Sequence, residues 1–312
     1  MKQLYHVCLT AHSEVLLRNI EDVRMITNLT ALAAWRTGTE ILTDSQMSTH
    51  KHEMLSSEDP RRFALREMLS ITKSFNKRHG RKGPLFDNDP FILPLRGPRH
   101  VQMATNYSLR QGLHHGQSET AFDYPWSTCN SIFPTERGVA PVAAVYKGRG
   151  ELLSCLPRNA EFPDEWEADE NGILLRRSFE QLAMVENWYG TARNFLFSMI
   201  RRTSDEWLAE QNKDAEGGQP VSLDMLEKGY SAEDIKSMLA FENNRKFTDT
   251  PKHDMDVCEL IDREMLGRFG ASSVYALSDG QKKHLADELR YDVGIRSEKQ
   301  ISRCLAMDYK KR

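Results

Sequence analysis

The chain has 312 residues, of which 39% are hydrophobic and 28% are charged, as in globular proteins with two or three domains. No apolar run reaches the length of a membrane span, and the first residues lack the apolar core of a signal peptide, so we expect a cytoplasmic protein with no membrane partner. The cysteines have no Cys-x-x-Cys spacing, which argues against a zinc site or a disulfide framework. They are Cys8, Cys129, Cys155, Cys258 and Cys304.

The net charge of -3 is unevenly distributed along the chain. Residues 1–149 contain 19 Lys and Arg against 14 Asp and Glu, a net of +5, and the remaining 23 basic and 31 acidic residues give -8. A solvated surface can produce such a bias, but so can a surface that neutralises phosphates. Residues 76–83 combine basic side chains with glycines and are our candidate phosphate clamp. The predicted DNA contacts in this region are Lys73, Lys77, Arg78, Arg81 and Lys82.

The predicted N-terminal elements alternate between strands and helices. In chain order they are strand 4–11, helix 21–37, strands 40–47 and 49–56, helix 60–77, strand 91–95 and helix 97–111. Pro94 suits the end of a strand, and Pro98 suits the first turn of a helix that is expected to stop at Gly112. This order suits a ferredoxin-like antiparallel sheet in an α+β protein.

The remainder of the chain is predicted to be mostly α-helical. Its elements are an acidic loop at 160–171, a helical stretch at 176–202 with a break at Gly190, a flexible linker at 212–220, and helices at 222–240 and 254–269. The adjacent His114 and His115 would face different ways on a helix or a strand. We therefore expect them to be loop residues near DNA and not metal ligands.

The last forty residues predict two helices, 279–291 and 298–307, separated by a turn that contains a glycine. Ser278 and Ser297 are each followed three residues later by glutamine, which is the pattern of a capping box. A helix-turn-helix would bring Lys299, Gln300 and Arg303 to a major groove. A simple helical hairpin that packs on the middle region is the alternative.

Two pairs of residues have spacings that suit metal-assisted chemistry. On a strand, His50 and His52 point to the same face and can hold one divalent ion. On a helix, Tyr107 and Gln111 lie one turn apart on one face. Taken alone, each pair has an ordinary interpretation, because histidines and aromatic residues are also common packing residues.

Two further runs strengthen the functional interpretation. The predicted second helix ends in Phe-Asn-Lys-Arg-His-Gly at residues 75–80, and Tyr-Pro-Trp-Ser follows at residues 124–127. Together with the histidine pair and the tyrosine, these runs make residues 3–133 resemble the HUH single-tyrosine transposases, and within them the REP-associated tyrosine transposases. The resemblance also implies the ferredoxin-like fold.

The resemblance implies a role for each matched residue. His50 and His52 correspond to the metal-binding pair, Gln111 to a third ligand of Mg²⁺ or Mn²⁺, and Tyr107 to the nucleophile. The expected activity is cleavage and strand transfer of single-stranded, hairpin-bearing DNA through a 5′-phosphotyrosine, by a monomer or a homodimer. The expected domains are a catalytic domain at 1–135, a helical middle region at 136–265 and a helix-turn-helix-like segment at 266–312.

Three positions depart from the family pattern. Lys51 stands where the family has a bulky apolar residue, Ser48-Thr49 replaces Pro-Asn, and Gln111-Gly112 replaces Asn-Pro. Because Lys51 alternates to the face opposite the histidines, we expect that face to be open or the strand to lie near an edge. Two alternatives to the transposase therefore stay open, namely a catalytically silent DNA-binding protein and a metal-dependent phosphohydrolase.

Overall fold

The computed structural model describes residues 1–11, 14–86, 89–200 and 253–307. The N-terminal elements follow the predicted order, with bounds that differ from the prediction by one or two residues. They are β1 Gln3–Thr10, α1 Ile20–Thr37, β2 Glu40–Gln46, β3 His50–Ser57, α2 Pro60–His79, β4 Phe91–Pro94 and α3 Gly97–Leu109.

The four strands form one antiparallel sheet in the order β2-β3-β1-β4. Together with α1 and α2, this order gives the ferredoxin-like arrangement, and the predicted α+β class is confirmed. β3 pairs with β1 on one side and with β2 on the other. The histidine strand is therefore central, so the expectation that it lies near an edge is wrong.

Side-chain alternation along the strands gives the sheet two apolar faces. Val7, Leu9 and Leu55 pack with α1 and α2 in one core. Leu42 and Met54 point the other way and pack with α3 in a second core. Helices therefore cover both faces, and the two faces of β3 lie in different surroundings.

Local sequence signals fix the ends of the first two helices. The Asn19 side chain accepts a hydrogen bond from the Asp22 amide at the start of α1, and Asp59 caps α2 in the same way. Gly38 follows α1 with a φ of 67°, the left-handed conformation that glycine adopts most readily. These short-range interactions explain why sequence patterns predicted α1 and α2 closely.

The middle region packs against the sheet domain. Its elements are α4 Gln111–His114, β5 Tyr146–Lys147, α5 Gly148–Leu152, β6 Glu167–Ala168, α6 Arg176–Phe179, α7 Leu182–Tyr189 and α8 Ala192–Ile200. Gly190 separates α7 from α8, as predicted. The stretch 160–171 is more than a loop, since Phe162 and Trp166 pack against Ala31 and Leu32 of α1.

The C-terminal helices share a third core. They are α9 Asp254–Leu260, α10 Asp279–Tyr291 and α11 Glu298–Cys304, with a π-helical turn at Ile261–Met265 and a 3-10 turn at Leu266–Phe269 after α9. Val257, Leu285 and Ile301 pack together with Val15 from the sheet domain. This core extends across the boundary that was expected at residue 265.

The two predicted capping boxes differ. Around α10, Ser278 and Gln281 exchange both hydrogen bonds of the box. At α11, Ser297 caps the Gln300 amide, but the Gln300 side chain donates to Asp254 instead of returning to the cap. The predicted segments 212–220 and 222–240 lie outside the described residues. Within the described residues, no helix combines the length and apolar character needed to span a membrane.

Candidate functional site

His50 and His52 lie side by side on the face of β3 that points toward α3. Their ring centroids are 5.0 Å apart and the rings are nearly perpendicular, at 86°. Both side chains are buried. Because they sit on a central strand, backbone hydrogen bonds on both sides hold them in place.

Tyr107 lies on α3 above the histidine strand. Its ring centroid is 5.7 Å from that of His52, and the two rings meet edge to face at 89°. The tyrosine is 7% exposed and belongs to the same apolar core as Met54 and Leu42. The helix and the sheet thus bring together two residues that are 55 positions apart in sequence.

Gln111 connects the tyrosine helix to the histidine strand. Its Nε2 donates to the backbone oxygen of Tyr107 at 3.2 Å, and its Oε1 lies 3.5 Å from Nε2 of His50. The first contact turns the amide so that its oxygen faces the imidazole. The structure therefore brings all four predicted site residues, His50, His52, Tyr107 and Gln111, into one cluster.

The tyrosine helix does not end where the sequence predicted. α3 ends at Leu109, and Gly112 lies inside the short helix α4 and not just beyond a helix end. A Cβ atom at Gly112 would overlap the side chain of Tyr124. The Tyr124 hydroxyl in turn donates to the Gln46 backbone oxygen at 2.7 Å. Gly112 thus permits a close approach between two segments.

Three further histidines lie at this cluster, and sequence reasoning missed their position. The rings of His115 and His50 are 4.7 Å apart, and His115 Nε2 lies 3.1 Å from Gln111 Oε1. The His114 ring is 5.2 Å from that of Tyr107. The His6 ring on β1 lies nearly parallel to that of His52. His114 and His115 do face different ways, as predicted from their adjacent positions. Each nevertheless contacts a residue of the cluster, His114 the tyrosine and His115 the first histidine of the pair.

The donor chemistry of the cluster fits a divalent ion of borderline hardness. His50 and His52 offer imidazole nitrogens and Gln111 offers an amide oxygen, a set that suits Mn²⁺ and related metals at least as well as Mg²⁺. Within the described residues, no group of three or more His, Cys, Asp or Glu side chains is arranged to hold a metal ion. The candidate ligand set instead combines two histidines with the amide oxygen of Gln111.

Lys51 occupies the opposite face of β3, which is closed and not open as expected. The lysine is 1% exposed, and its ammonium group contacts Glu67 at 2.5 Å, Thr30 at 2.7 Å, Glu53 at 3.0 Å and Asp44 at 3.2 Å. A buried cation requires such compensation. Carboxylates from β2, β3 and α2 therefore surround this position in place of apolar side chains.

The surroundings of Lys51 form a buried polar network. Arg176 of α6 joins it through contacts with Asp44 at 3.4 Å and Glu180 at 2.5 Å. We call the set Thr30, Asp44, Lys51, Glu53, Glu67, Arg176 and Glu180 the Lys51 network. It connects the middle region to the strand that carries the histidines.

Burial and neighbouring charges shift the pKa values of three carboxyl groups in the Lys51 network. Burial and the neighbouring Glu67 raise the pKa of Glu53 well above its ordinary value, in opposition to Lys51. Burial raises the pKa of Glu180 to about 7 despite the charge of Arg176. Burial also acts to raise the pKa of Asp44, but Lys51 and Arg176 outweigh it and lower that pKa. Protonation of Glu53 and Glu180 reduces the excess of negative charge around the two cations.

The predicted DNA contacts on α2 and in the loop after it do not lie beside the tyrosine. α2 packs on the face of the sheet opposite the histidines. Arg78 contacts Asp22 at 3.1 Å, and Arg81 contacts Glu14 at 2.8 Å and also donates to the carbonyl oxygens of the following loop. Lys73, Lys77 and Lys82 are exposed.

Two of the three residues predicted to meet a major groove make internal contacts. Arg303 donates to both carboxylate oxygens of Asp254, at 2.6 and 2.8 Å, and Gln300 donates to the same residue at 3.0 Å. Gln300 is also buried. Lys299 is exposed on α11.

Comparison with known proteins finds distant structural similarity and no match of other kinds. No family model matches the chain, and no curated protein matches it. The chain is similar to a solved structure described as "Structure of the REP associates tyrosine transposase bound to a REP hairpin", with a TM-score of 0.39, 14% identity, and coverage of 45% of this chain and 84% of that one. Because this TM-score is low, a functional assignment has to rest on the residues of this chain.

Proposed function

We propose that this protein is a strand transferase that cleaves single-stranded DNA and carries the cut end on Tyr107. The observation that supports this proposal is the contact between Tyr107 and His52 of the histidine pair, with ring centroids 5.7 Å apart. Gln111 adds an amide oxygen on the same side, one helical turn from the tyrosine. The motif resemblance of residues 3–133 supports DNA as the substrate of this arrangement.

The reaction is a nucleophilic substitution at phosphorus. The phenol oxygen of Tyr107 gives up its proton and forms a bond to phosphorus, while the bond to the 3′ oxygen breaks and that oxygen leaves as a hydroxyl after taking a proton. The phosphotyrosine keeps the energy of the broken phosphodiester. Attack by another 3′-hydroxyl can therefore rejoin DNA strands and release the tyrosine without ATP.

His50, His52 and Gln111 would hold the divalent ion, Mg²⁺ or Mn²⁺. When bound, such an ion supplies positive charge next to the scissile phosphate. The residues of the chain supply the positioning. β3 fixes the two imidazoles, and the bond from Gln111 to the Tyr107 backbone oxygen keeps the amide oxygen directed at His50.

DNA can reach Tyr107 only after the cover of the site moves. The tyrosine is 7% exposed, and Val185, Tyr189 and Phe195 of α7 and α8 belong to the core in which it is buried. The Tyr189 hydroxyl donates to Asn106, the residue before the tyrosine, at 2.6 Å. We expect α7 and α8 to shift when a strand enters.

The test is incubation of the protein with hairpin-bearing single-stranded DNA and Mn²⁺, followed by a denaturing gel. A labelled strand that migrates with the protein supports the proposal, and Tyr107→Phe should abolish that band. Tyr5→Phe is the matched control, because Tyr5 packs with the core on the other face of the sheet. It should leave the band unchanged.

Two other results would overturn the proposal. If the protein binds the hairpin but forms no covalent product, and Tyr107→Phe binds equally well, the protein is a DNA-binding protein without cleavage activity. If it hydrolyses p-nitrophenyl phosphate in a reaction that needs His50 and His52, and joins no DNA to itself, it is a phosphohydrolase.

A further inference from the structure

The strand next to the histidine strand carries a third imidazole that contacts the site. His6 on β1 is fully buried, and its Nε2 lies 3.0 Å from Nδ1 of His52. The two rings are nearly parallel, with centroids 5.2 Å apart and planes within 12°, which suits a hydrogen bond between their edges. β1 and β3 are hydrogen-bonded neighbours in which Cys8 pairs with His52 and His6 with Met54. The sheet therefore holds both rings in register.

A contact between two imidazole nitrogens needs one proton between them. If His52 Nδ1 carries the proton, it donates to His6 Nε2, and His52 Nε2 has the lone pair that a metal requires. If His6 Nε2 carries the proton, His52 Nδ1 accepts the hydrogen bond, and the single N–H proton of neutral His52 then lies on Nε2, where it blocks coordination. The contact with His6 thus decides which nitrogen of His52 can act as a ligand.

His50 has a comparable arrangement. Its Nδ1 lies 3.2 Å from the hydroxyl oxygen of Thr49, and its Nε2 is directed at the oxygen of Gln111. In both histidines, a neighbouring side chain contacts Nδ1. For His50 this leaves Nε2 on the side of the predicted third ligand.

We propose that His6 is a positioning residue that accepts a hydrogen bond from Nδ1 of His52 and so fixes His52 for metal binding through Nε2. Outer partners of this kind orient metal-binding histidines, and their loss typically weakens metal affinity about 10- to 100-fold. In this protein the partner is a neutral imidazole held by a neighbouring strand. The inference rests on the proposed function only for the presence of a metal at His50, His52 and Gln111.

The tautomer of His52 is measured in the full-length, metal-free protein. With ¹⁵N-labelled histidine, long-range proton–nitrogen NMR correlations report which ring nitrogen of His52 carries the proton, with assignment by comparison with His52→Gln. We expect the proton on Nδ1 of His52 and on Nδ1 of His6. A proton on Nε2 of His52 overturns the inference.

Mn²⁺ affinity, measured by the electron paramagnetic resonance signal of the free ion, tests the consequence. His6→Leu fills the same buried space with an apolar side chain but removes the acceptor, so we expect Mn²⁺ affinity to fall roughly 10- to 100-fold. His6→Gln can place an amide oxygen near the position of Nε2 and should restore most of the affinity. His79→Gln is the control, because His79 contacts Asp22 on the other face of the sheet, 2.8 Å away.

The outcomes separate this inference from the proposed function. Unchanged Mn²⁺ affinity in folded His6→Leu overturns the role of His6, even if the wild-type protein forms the Tyr107 adduct. A loss of affinity in His6→Leu with recovery in His6→Gln supports it, even if no adduct forms. Should His6→Leu fail to fold, the His52 tautomer in the unaltered protein decides the question.

Discussion

Lys51 is a fully buried cation on the strand that carries the two histidines. The lysine is surrounded by Asp44, Glu53 and Glu67 on the face opposite the histidines. A cation at this position does not disturb the histidine side of β3, because neighbouring residues of a strand point to opposite faces. It does make the stability of the histidine strand depend on charge balance.

We predict that Lys51→Met destabilises the protein by about 3–5 kcal/mol, because it leaves buried carboxyl groups without their cation. The double variant Lys51→Met with Glu67→Leu should recover part of this loss, since it removes one of those carboxyl groups as well. Urea unfolding followed by circular dichroism at pH 7 measures both free energies. A loss below about 1 kcal/mol in Lys51→Met would show that the Lys51 network contributes little to stability.

Glu180 makes the stability of the folded protein decrease as the pH rises. Its pKa is raised to about 7 by burial, so the folded state keeps this proton after the unfolded state has released it. The stabilisation is fully present below the ordinary glutamate pKa and is lost as the pH rises to about 7. Wild type should therefore lose up to roughly 3 kcal/mol relative to Glu180→Gln between pH 4.5 and pH 7.5.

Urea unfolding at a series of pH values measures that difference. Glu170→Gln, at an exposed position, controls for the loss of one carboxyl group. Parallel stability curves for wild type and Glu180→Gln would contradict the prediction. Asp44, whose lowered pKa acts in the opposite sense, is retained in both proteins.

At the scale of elements, the sequence predicted the helices and strands closely but did not predict which distant residues contact one another. The predicted α1, α2 and α3 begin within one residue of the observed helices, whose starts are fixed locally by the Asn19 and Asp59 caps and by Pro98. The spacing rules also placed His50 with His52 and Tyr107 with Gln111. Strand alternation does not say which strands pair, so His6 could not be assigned to the site.

The end of the tyrosine helix shows the same limit. Glycine after a helical pattern commonly marks a helix end. Here the reason for Gly112 is contact with Tyr124, a residue from a later segment. No pattern near residue 112 predicts the contact with Tyr124. The sequence therefore did not predict the short helix α4, which positions His114 and His115.

We predict that Gly112→Ala destabilises the protein by about 1–3 kcal/mol, because the added methyl group displaces Tyr124. Gly280→Ala is the matched control, since the space around Gly280 at the start of α10 is open. It should be neutral or stabilising by up to about 1 kcal/mol. Thermal unfolding of both variants measures the contrast, and equal effects would contradict the role assigned to Gly112.

At the scale of the whole molecule, the C-terminal helices are joined to the sheet domain by polar contacts. Arg18 is buried and donates to the Cys304 backbone oxygen and to Asp262, both at 2.9 Å. Asp254 accepts a hydrogen bond from Ser48, in the turn before the histidine strand, at 2.7 Å. Arg303 and Gln300 contact the same carboxylate, so both residues help to join the C-terminal helices to the sheet domain.

The exposed basic residues of α2 form a different kind of surface. Arg62, Arg66, Lys73 and Lys77 are exposed, and their spacing places them on one side of the helix. We call these four residues the α2 basic face. The exposed positions Leu65 and Leu69 lie beside it, and the only acidic residue of α2, Glu67, is buried. The α2 basic face is therefore better suited than α11 to contact a phosphate backbone.

We predict that the double variant Lys73→Ala with Lys77→Ala binds the hairpin more weakly. The slope of log affinity against log salt concentration should become shallower by about 0.7–0.9 for each phosphate contact removed. Arg303→Ala should leave that slope unchanged and lower stability by roughly 2–3 kcal/mol, because Asp254 is buried and loses its partner. Fluorescence anisotropy at several salt concentrations and urea unfolding measure the two quantities. If Arg303→Ala lowers the slope while the lysine pair does not, DNA binds α11, and the Arg303–Asp254 contact must open to admit it.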